Sequence, residues 1–130
     1  MGRMQPDSAS SPKTFLIVDD EPLARMELVE IVKECGFKAW EASNTREALA
    51  LLEERNDRVI GLITDINMPG TRSGTVLANH VHWLWPHIEI VVVSAARCPV
   101  EGELPSQVPF ISKPVSLRKL SQAIALCADC

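Results

Sequence analysis

Asp19, Asp20, Asp65, Ser94 and Lys113 each stand at the end of a short apolar run. The runs occupy residues 15–18, 61–64, 90–93 and 110–112. If each is a buried parallel strand, all these tips emerge on one edge of one sheet, where open α/β folds bind their ligands. Three carboxylates, a hydroxyl and an ammonium then meet in one cleft. Two ionised carboxylates about 4 Å apart repel by roughly 4 kcal/mol at an effective dielectric near 20, so three together call for a cation. An all-oxygen set with few protein ligands suits Mg²⁺, which keeps several of its waters. Lys113 offsets part of the charge. A carboxylate can also act as a nucleophile and form an aspartyl phosphate. Asp65 fits that role best, because it stands alone at a strand tip and a loop follows it. Phosphoryl transfer needs mainly positioning and charge neutralisation. Mg²⁺ and Lys113 would contact phosphoryl oxygens, and the Ser94 hydroxyl would donate to a third.

The elements that must hold these tips are legible in the spacing of apolar residues. Residues 14–18 read as a strand. Pro22 suits the first turn of a helix, and Leu23, Met26, Leu28, Val29, Ile31 and Val32 are read as its apolar face, up to Cys35. Gly36 is placed to stop it. Residues 38–42 alternate weakly, as a second strand. Asn44-Thr45-Arg46-Glu47 has the form of a capping box, and the helix it starts runs through Ala48, Leu49, Leu51 and Leu52 to Asn56-Asp57. Residues 59–64 are the third strand, and 67–74 a loop by composition. Val76, Leu77, Val81 and Leu84 belong to a third helix closed by Pro86. Residues 89–93, the most apolar strand, are expected at the centre of the sheet. Pro99, Gly102 and Pro105 leave room only for a short or irregular fourth helix. Residues 110–112 are the fifth strand. Val115, Leu117, Leu120, Ile124 and Leu126 fit a final helix. Strand–helix repeated five times implies a doubly wound α/β fold with a five-stranded parallel sheet, in the flavodoxin-like order 2-1-3-4-5.

Composition narrows the function. At 130 residues the chain is one domain, read as a polar leader over 1–13 and a folded unit over 14–130. The net charge is −4 with no basic cluster, which argues against nucleic-acid binding. No apolar run approaches the ~20 residues of a membrane span, and the N-terminus lacks a signal-type apolar core, so the expected location is the cytoplasm. Cys127 and Cys130 have C-x-x-C spacing, but no second pair completes a zinc site. His80 and His82 point apart on a helix, which disfavours a metal pair. Trp83 and Trp85 cannot both face the core, so one of them is surface-exposed or contacts a partner. The acidic residues also have plainer readings: Asp19-Asp20-Glu21-Pro22 as a helix N-cap with first-turn acids, and Asp65 as a turn residue. The joint placement of all the tips in one order favours the site.

That constellation resembles the receiver domain of two-component response regulators, over about residues 14–126. The matching residues are Val18-Asp19-Asp20-Glu21, Thr64-Asp65-Ile66-Asn67-Met68-Pro69-Gly70, Ser94-Ala95 and Lys113-Pro114. The resemblance implies that Asp65 accepts a phosphoryl group from the phosphohistidine of a sensor histidine kinase or phosphotransfer protein. It implies Mg²⁺ ligation by Asp20, Asp65 and the backbone carbonyl of Asn67, with Asp19 assisting through water. Ser94 would be the switch hydroxyl, Phe110 the aromatic that follows it, and Lys113–Pro114 a cis bond. No enzymatic turnover is expected beyond self-phosphorylation from a donor and self-dephosphorylation.

The chain departs from the family's pattern in two places. The loop at Met68–Gly74 is one residue longer than usual, with Ser73 in place of the acidic residue before the glycine and Arg72 adding a positive charge. The stretch from Ser94 to Lys113 is about three residues short, at the expense of the fourth helix. That helix belongs to the family's usual output and dimer face, so a different signalling surface or homodimer is anticipated. Two rival functions remain. An aspartate-based phosphohydrolase of the haloacid dehalogenase type would carry D-x-D on its first strand, which Asp19-Asp20-Glu21 does not provide. A pseudo-receiver, a binding module never phosphorylated, would lack the acidic pair, the acceptor or the lysine. The chain is either a single-domain regulator or a segment of a larger protein.

Overall fold

The computed structural model describes residues 13–66, 74–95, 104–105 and 108–128. Five strands carry the sheet: β1 (Thr14–Val18), β2 (Lys38–Ala42), β3 (Val59–Asp65), β4 (Glu89–Ser94) and β5 (Phe110–Ser112). Four α-helices accompany them among the described residues: α1 (Pro22–Glu34), α2 (Thr45–Arg55), α3 (Gly74–Leu84) and α4 (Leu117–Ala128). Every strand pair is parallel and the order is β2-β1-β3-β4-β5, as the sequence predicts. The short or irregular helix expected between the fourth and fifth strands falls mostly on residues outside those described, as does the leader up to residue 12. Lys13 is tied to the sheet, its carbonyl accepting from Lys38 N at 2.9 Å.

Strand side chains alternate between the two faces, and that alternation splits the core. Leu16, Val18, Leu62 and Val92 lie on one face with Ala48 and Leu52 of α2 and Leu77, Ala78 and Val81 of α3. Phe15, Ile17, Ile63, Val91 and Val93 lie on the other with Leu28, Val29 and Val32 of α1 and Leu120, Ala123 and Ile124 of α4. Both faces are covered, which is why β1, β3 and β4 read as continuous apolar runs. The centre of the sheet is β3, not β4 as hydrophobicity suggests. Cover by helices on both faces makes either strand apolar, so composition cannot rank them.

Helix ends follow their local signals. Pro22 opens α1 and Gly36 follows its end at φ +92°, a conformation a Cβ disfavours. Asn44 caps α2, its side chain accepting from Glu47 N at 2.8 Å. The reciprocal arm differs from a standard capping box: Glu47 Oε1 accepts from Ser43 N and Ser43 Oγ, both at 2.8 Å. Those donors, the backbone N–H first, hold the Glu47 carboxyl below its ordinary pKa.

Several apolar residues assigned to helix faces do not reach the core. Leu23 is 70% exposed and Met26 55%. At 100° per residue the buried arc of α1 is centred on Leu28, Val29 and Val32, and Leu23 lies on the opposite side. Leu117 and Leu126 are likewise exposed, and Val115 precedes α4 rather than belonging to it. Of the two tryptophans, Trp85 packs against the α2–α3 side of the core while Trp83 is 80% exposed. His80, His82 and His87 are exposed, and His87 Nε2 lies 2.9 Å from the Asn56 carbonyl oxygen. Cys35 is half-buried and Cys127 is buried in the core; Cys98 and Cys130 lie outside the described residues. Burial, followed by the nearby Glu34 carboxylate, pushes the Cys35 thiol up.

Candidate functional site

The site lies at the carboxyl edge of the sheet, where β1, β3, β4 and β5 end side by side. Asp19 directly follows β1 and is fully buried. Its N–H continues the ladder to the Ala42 carbonyl at 3.2 Å. Its Oδ1 accepts from Glu21 N at 3.0 Å, and its Oδ2 from Lys113 Nζ at 2.9 Å. The side chain therefore serves both the turn into α1 and the cleft. The plainer N-cap reading does not hold: Glu21 is the N-cap residue of α1 and makes no side-chain capping bond. Arg25, one turn into α1, donates from Nη1 to the Asp19 carbonyl at 2.7 Å and from Nε to Glu41 Oε1 at 2.9 Å.

Asp65 closes β3 and is buried, in register with Val93 of β4. Its Oδ2 accepts from Lys113 Nζ at 2.9 Å. The next residue, Ile66, donates its N–H to the Val93 carbonyl at 3.3 Å and accepts from Gly74 N at 3.2 Å. The first residue of α3 is thereby pinned to the end of β3. Asp20 is exposed. It lines an open cleft together with Glu21, Pro22, Asp65, Ala95 and Lys113. One oxygen from each of Asp19, Asp20 and Asp65 falls within 4.8 Å of the others.

Lys113 follows β5, held by its N–H donating to the Ser94 carbonyl at 2.8 Å, and the Lys113–Pro114 bond is cis. Partial burial alone would lower the ammonium's pKa. The hydrogen bonds to Asp65 and Asp19, and their negative charges, outweigh it, and the pKa stands above the ordinary lysine value. A pKa raised on folding contributes stability that is present below the unfolded value and lost as pH rises through the folded one. We therefore expect an alkaline loss of stability beginning above about pH 10.4, the unperturbed lysine value. Lys113→Met should lack that component when urea midpoints are compared between pH 9 and pH 11.

Ser94 closes β4, is buried, and pairs with Ser112. Phe110 opens β5, half-buried, and packs with Leu104 and Val108 against the α2–α3 side of the core. The structure thus brings Asp19, Asp20, Asp65 and Lys113 together and sets Ser94 on the neighbouring strand end. Asn67, expected to offer its backbone carbonyl, and the atypical loop over 68–73 lie outside the described residues. Sequence reasoning missed Arg25, whose contact with the site is to the backbone carbonyl of Asp19.

Residues 15–125 match the family model of the response regulator receiver domain. The chain belongs to that family. Curated relatives agree. The positive alginate biosynthesis regulatory protein of Pseudomonas aeruginosa is 34% identical over 112 residues, covering 84% of this chain and 44% of that protein. The sensor kinase CckA of Brucella abortus is 30% identical over 118 residues, covering 88% and 12%. The receiver chain therefore spans less than half the length of either relative. Among solved structures, a CheY-like receiver domain protein from Methanospirillum hungatei superposes with TM-score 0.78 at 27% identity, covering 92% of this chain and 95% of that one. A response regulator receiver protein from Sinorhizobium medicae reaches TM-score 0.82 at 21% identity, covering 92% and 96%, a likeness of fold. The protein is a receiver domain of the two-component type. No helix among the described residues is long and apolar enough to cross a membrane.

Proposed function

We propose that Asp65 is the phosphoacceptor of this receiver domain. The observation that carries the reading is the Lys113 ammonium, 2.9 Å from both Asp19 Oδ2 and Asp65 Oδ2, beside three carboxylates whose oxygens gather within 4.8 Å. A carboxylate oxygen of Asp65 attacks the phosphorus of a phosphohistidine on a sensor histidine kinase or phosphotransfer protein. The P–N bond breaks, its electron pair leaves with the imidazole nitrogen, and an acyl phosphate forms on Asp65. Lys113 holds the carboxylate before transfer and the phosphoryl oxygens after it.

The donor set fits Mg²⁺: it is all oxygen, acidic, and open to water on the Asp20 side. Asp20, Asp65 and the backbone carbonyl of Asn67 would hold the ion. Asp19, whose oxygens accept from Glu21 N and Lys113 Nζ, would assist through water. Bound there, Mg²⁺ supplies the positive charge that lets a phosphoryl group approach three carboxylates. Ser94, at the end of β4, would donate to a phosphoryl oxygen, and Phe110 would turn into the space it vacates, biasing a pre-existing two-state equilibrium. The receiver unit covers 14–130 behind a leader over 1–13, works in the cytoplasm and signals to a protein partner; a homodimer is compatible with this role. Neither rival function has an observation in its favour. The acidic pair, acceptor and lysine that a pseudo-receiver lacks are all present, and the acceptor candidate sits on the third strand.

Incubation with a labelled small acyl phosphate or phosphoramidate and Mg²⁺ tests the reading. The chain should take up one phosphoryl group, released by hydroxylamine as an acyl phosphate is, and EDTA should prevent uptake. No label, or a label that survives hydroxylamine, overturns it.

A further inference from the structure

Arg25 takes no part in the phosphoryl chemistry above, yet it joins three pieces of the site's support. Its guanidinium is largely buried and bonds to the carbonyl of Asp19 with one nitrogen and to the Glu41 carboxylate of β2 with another. The Asp19 carbonyl is where β1 stops and the acidic turn begins. That turn is held at two further points, Asp19 Oδ1 by Glu21 N and Asp19 Oδ2 by Lys113 Nζ. Asp20 lies between these anchors, exposed on the cleft. Its carboxylate has the place the turn's backbone gives it, so whatever fixes that backbone fixes the Asp20 oxygen relative to Asp65.

We propose that Arg25 is a positioning residue for the cation site: by clamping the Asp19 carbonyl, with Glu41 orienting its guanidinium, it holds Asp20 where the three carboxylates can share one divalent ion. The proposal rests on the metal reading given above. Arginine suits the task because its planar fork can hold two acceptors at fixed angles, which an ammonium cannot. Charge alone predicts the opposite. Arg25 is a cation near an acidic cluster, so removing it would strengthen attraction for Mg²⁺ if repulsion were its whole effect. The 2.9 Å pairing with Glu41 neutralises most of that charge, so the geometric role outweighs the electrostatic one. Groups that orient metal ligands typically change affinity by about 10–100-fold when lost.

The test is Mg²⁺ affinity by calorimetric titration, with melting temperatures measured separately without the ion. Arg25→Ala should weaken binding by about 10–100-fold. Arg25→Lys keeps the charge but loses the two-armed grip, and should weaken it in the same direction by less. Glu41→Gln should give a smaller loss still. Affinity of Arg25→Ala within twofold of the parent, or tighter, overturns the proposal even if its melting temperature falls, because Arg25 would then be only a structural or electrostatic group. If Arg25→Ala does not fold, Arg25→Lys decides: unchanged affinity overturns the proposal and weakened affinity supports it. A parent chain that takes up no Mg²⁺ fails at an earlier point. It would overturn the metal reading itself, and this proposal with it.

Discussion

Asp65→Asn should abolish labelling by a small phosphodonor in the presence of Mg²⁺, lowering the initial rate by at least about a thousandfold, the scale lost when a covalent nucleophile is removed. The substitution keeps the size and planarity of the side chain. It removes the ionised oxygen that must form the bond to phosphorus, and an amide is no substitute nucleophile at neutral pH. Lys113 retains its 2.9 Å contact with Asp19, so the ammonium is not left buried without a partner, and the fold should survive. A melting curve close to the parent's separates loss of the acceptor from loss of structure. Asp20→Asn is the informative companion. Asp20 is exposed and makes its contribution through the ion, so the variant should still label at Asp65 but demand more Mg²⁺. Peptide mapping decides the assignment. Label persisting on Asp65→Asn, or mapping to Asp19 or Asp20 in the parent, would refute Asp65 as the acceptor.

The sequence was most informative where one physical cause acts alone. Strands covered on both faces must be apolar throughout, so the runs ending at Val18, Thr64, Val93 and Ser112 delimit the ends of β1, β3, β4 and β5 within a residue. Caps are equally local, and Asn44 and Pro22 stand where their side-chain chemistry demands. Site residues at strand ends inherit that clarity, which is why Asp19, Asp20, Asp65 and Lys113 could be named together before their distances were known. What was not legible depends on direction rather than position. Leu23 and Met26 continue the apolar spacing of α1 but turn away from the arc that meets the sheet, and only the packed helix reveals which arc that is. The ranking of β3 against β4 fails for a related reason, since composition records cover and not order. Arg25 was invisible because a basic residue on a helix usually marks a solvated face; its importance lies in a backbone carbonyl, which no sequence pattern displays.

Gly74→Ala tests the contact that ties the acceptor strand to α3. Gly74 opens α3, and a Cβ added there would lie 2.0 Å from the carbonyl oxygen of Asp65, 2.6 Å from the Ile66 Cα and 2.7 Å from the Asp65 carbonyl carbon. These neighbours are backbone, so no rotamer change can make room; either α3 or the end of β3 must shift. Alanine's helix preference works the other way, by up to about 1 kcal/mol, and overpacking typically costs about 1–3 kcal/mol, more when rigid groups collide. The net expectation is a loss of about 2–3 kcal/mol by urea unfolding, or a melting temperature lower by roughly 5–12 °C. Gly36→Ala supplies the control. Gly36 sits at φ +92° with nothing within 4 Å of an added Cβ, so its alanine variant should cost about 1 kcal/mol of backbone strain and label at the parent's rate. Gly74→Ala should also label more slowly, because the displaced backbone is that of Asp65 itself. If both variants label alike when measured well below their melting temperatures, the junction between α3 and β3 matters for stability only, and α3 has no mechanical connection to the phosphoacceptor.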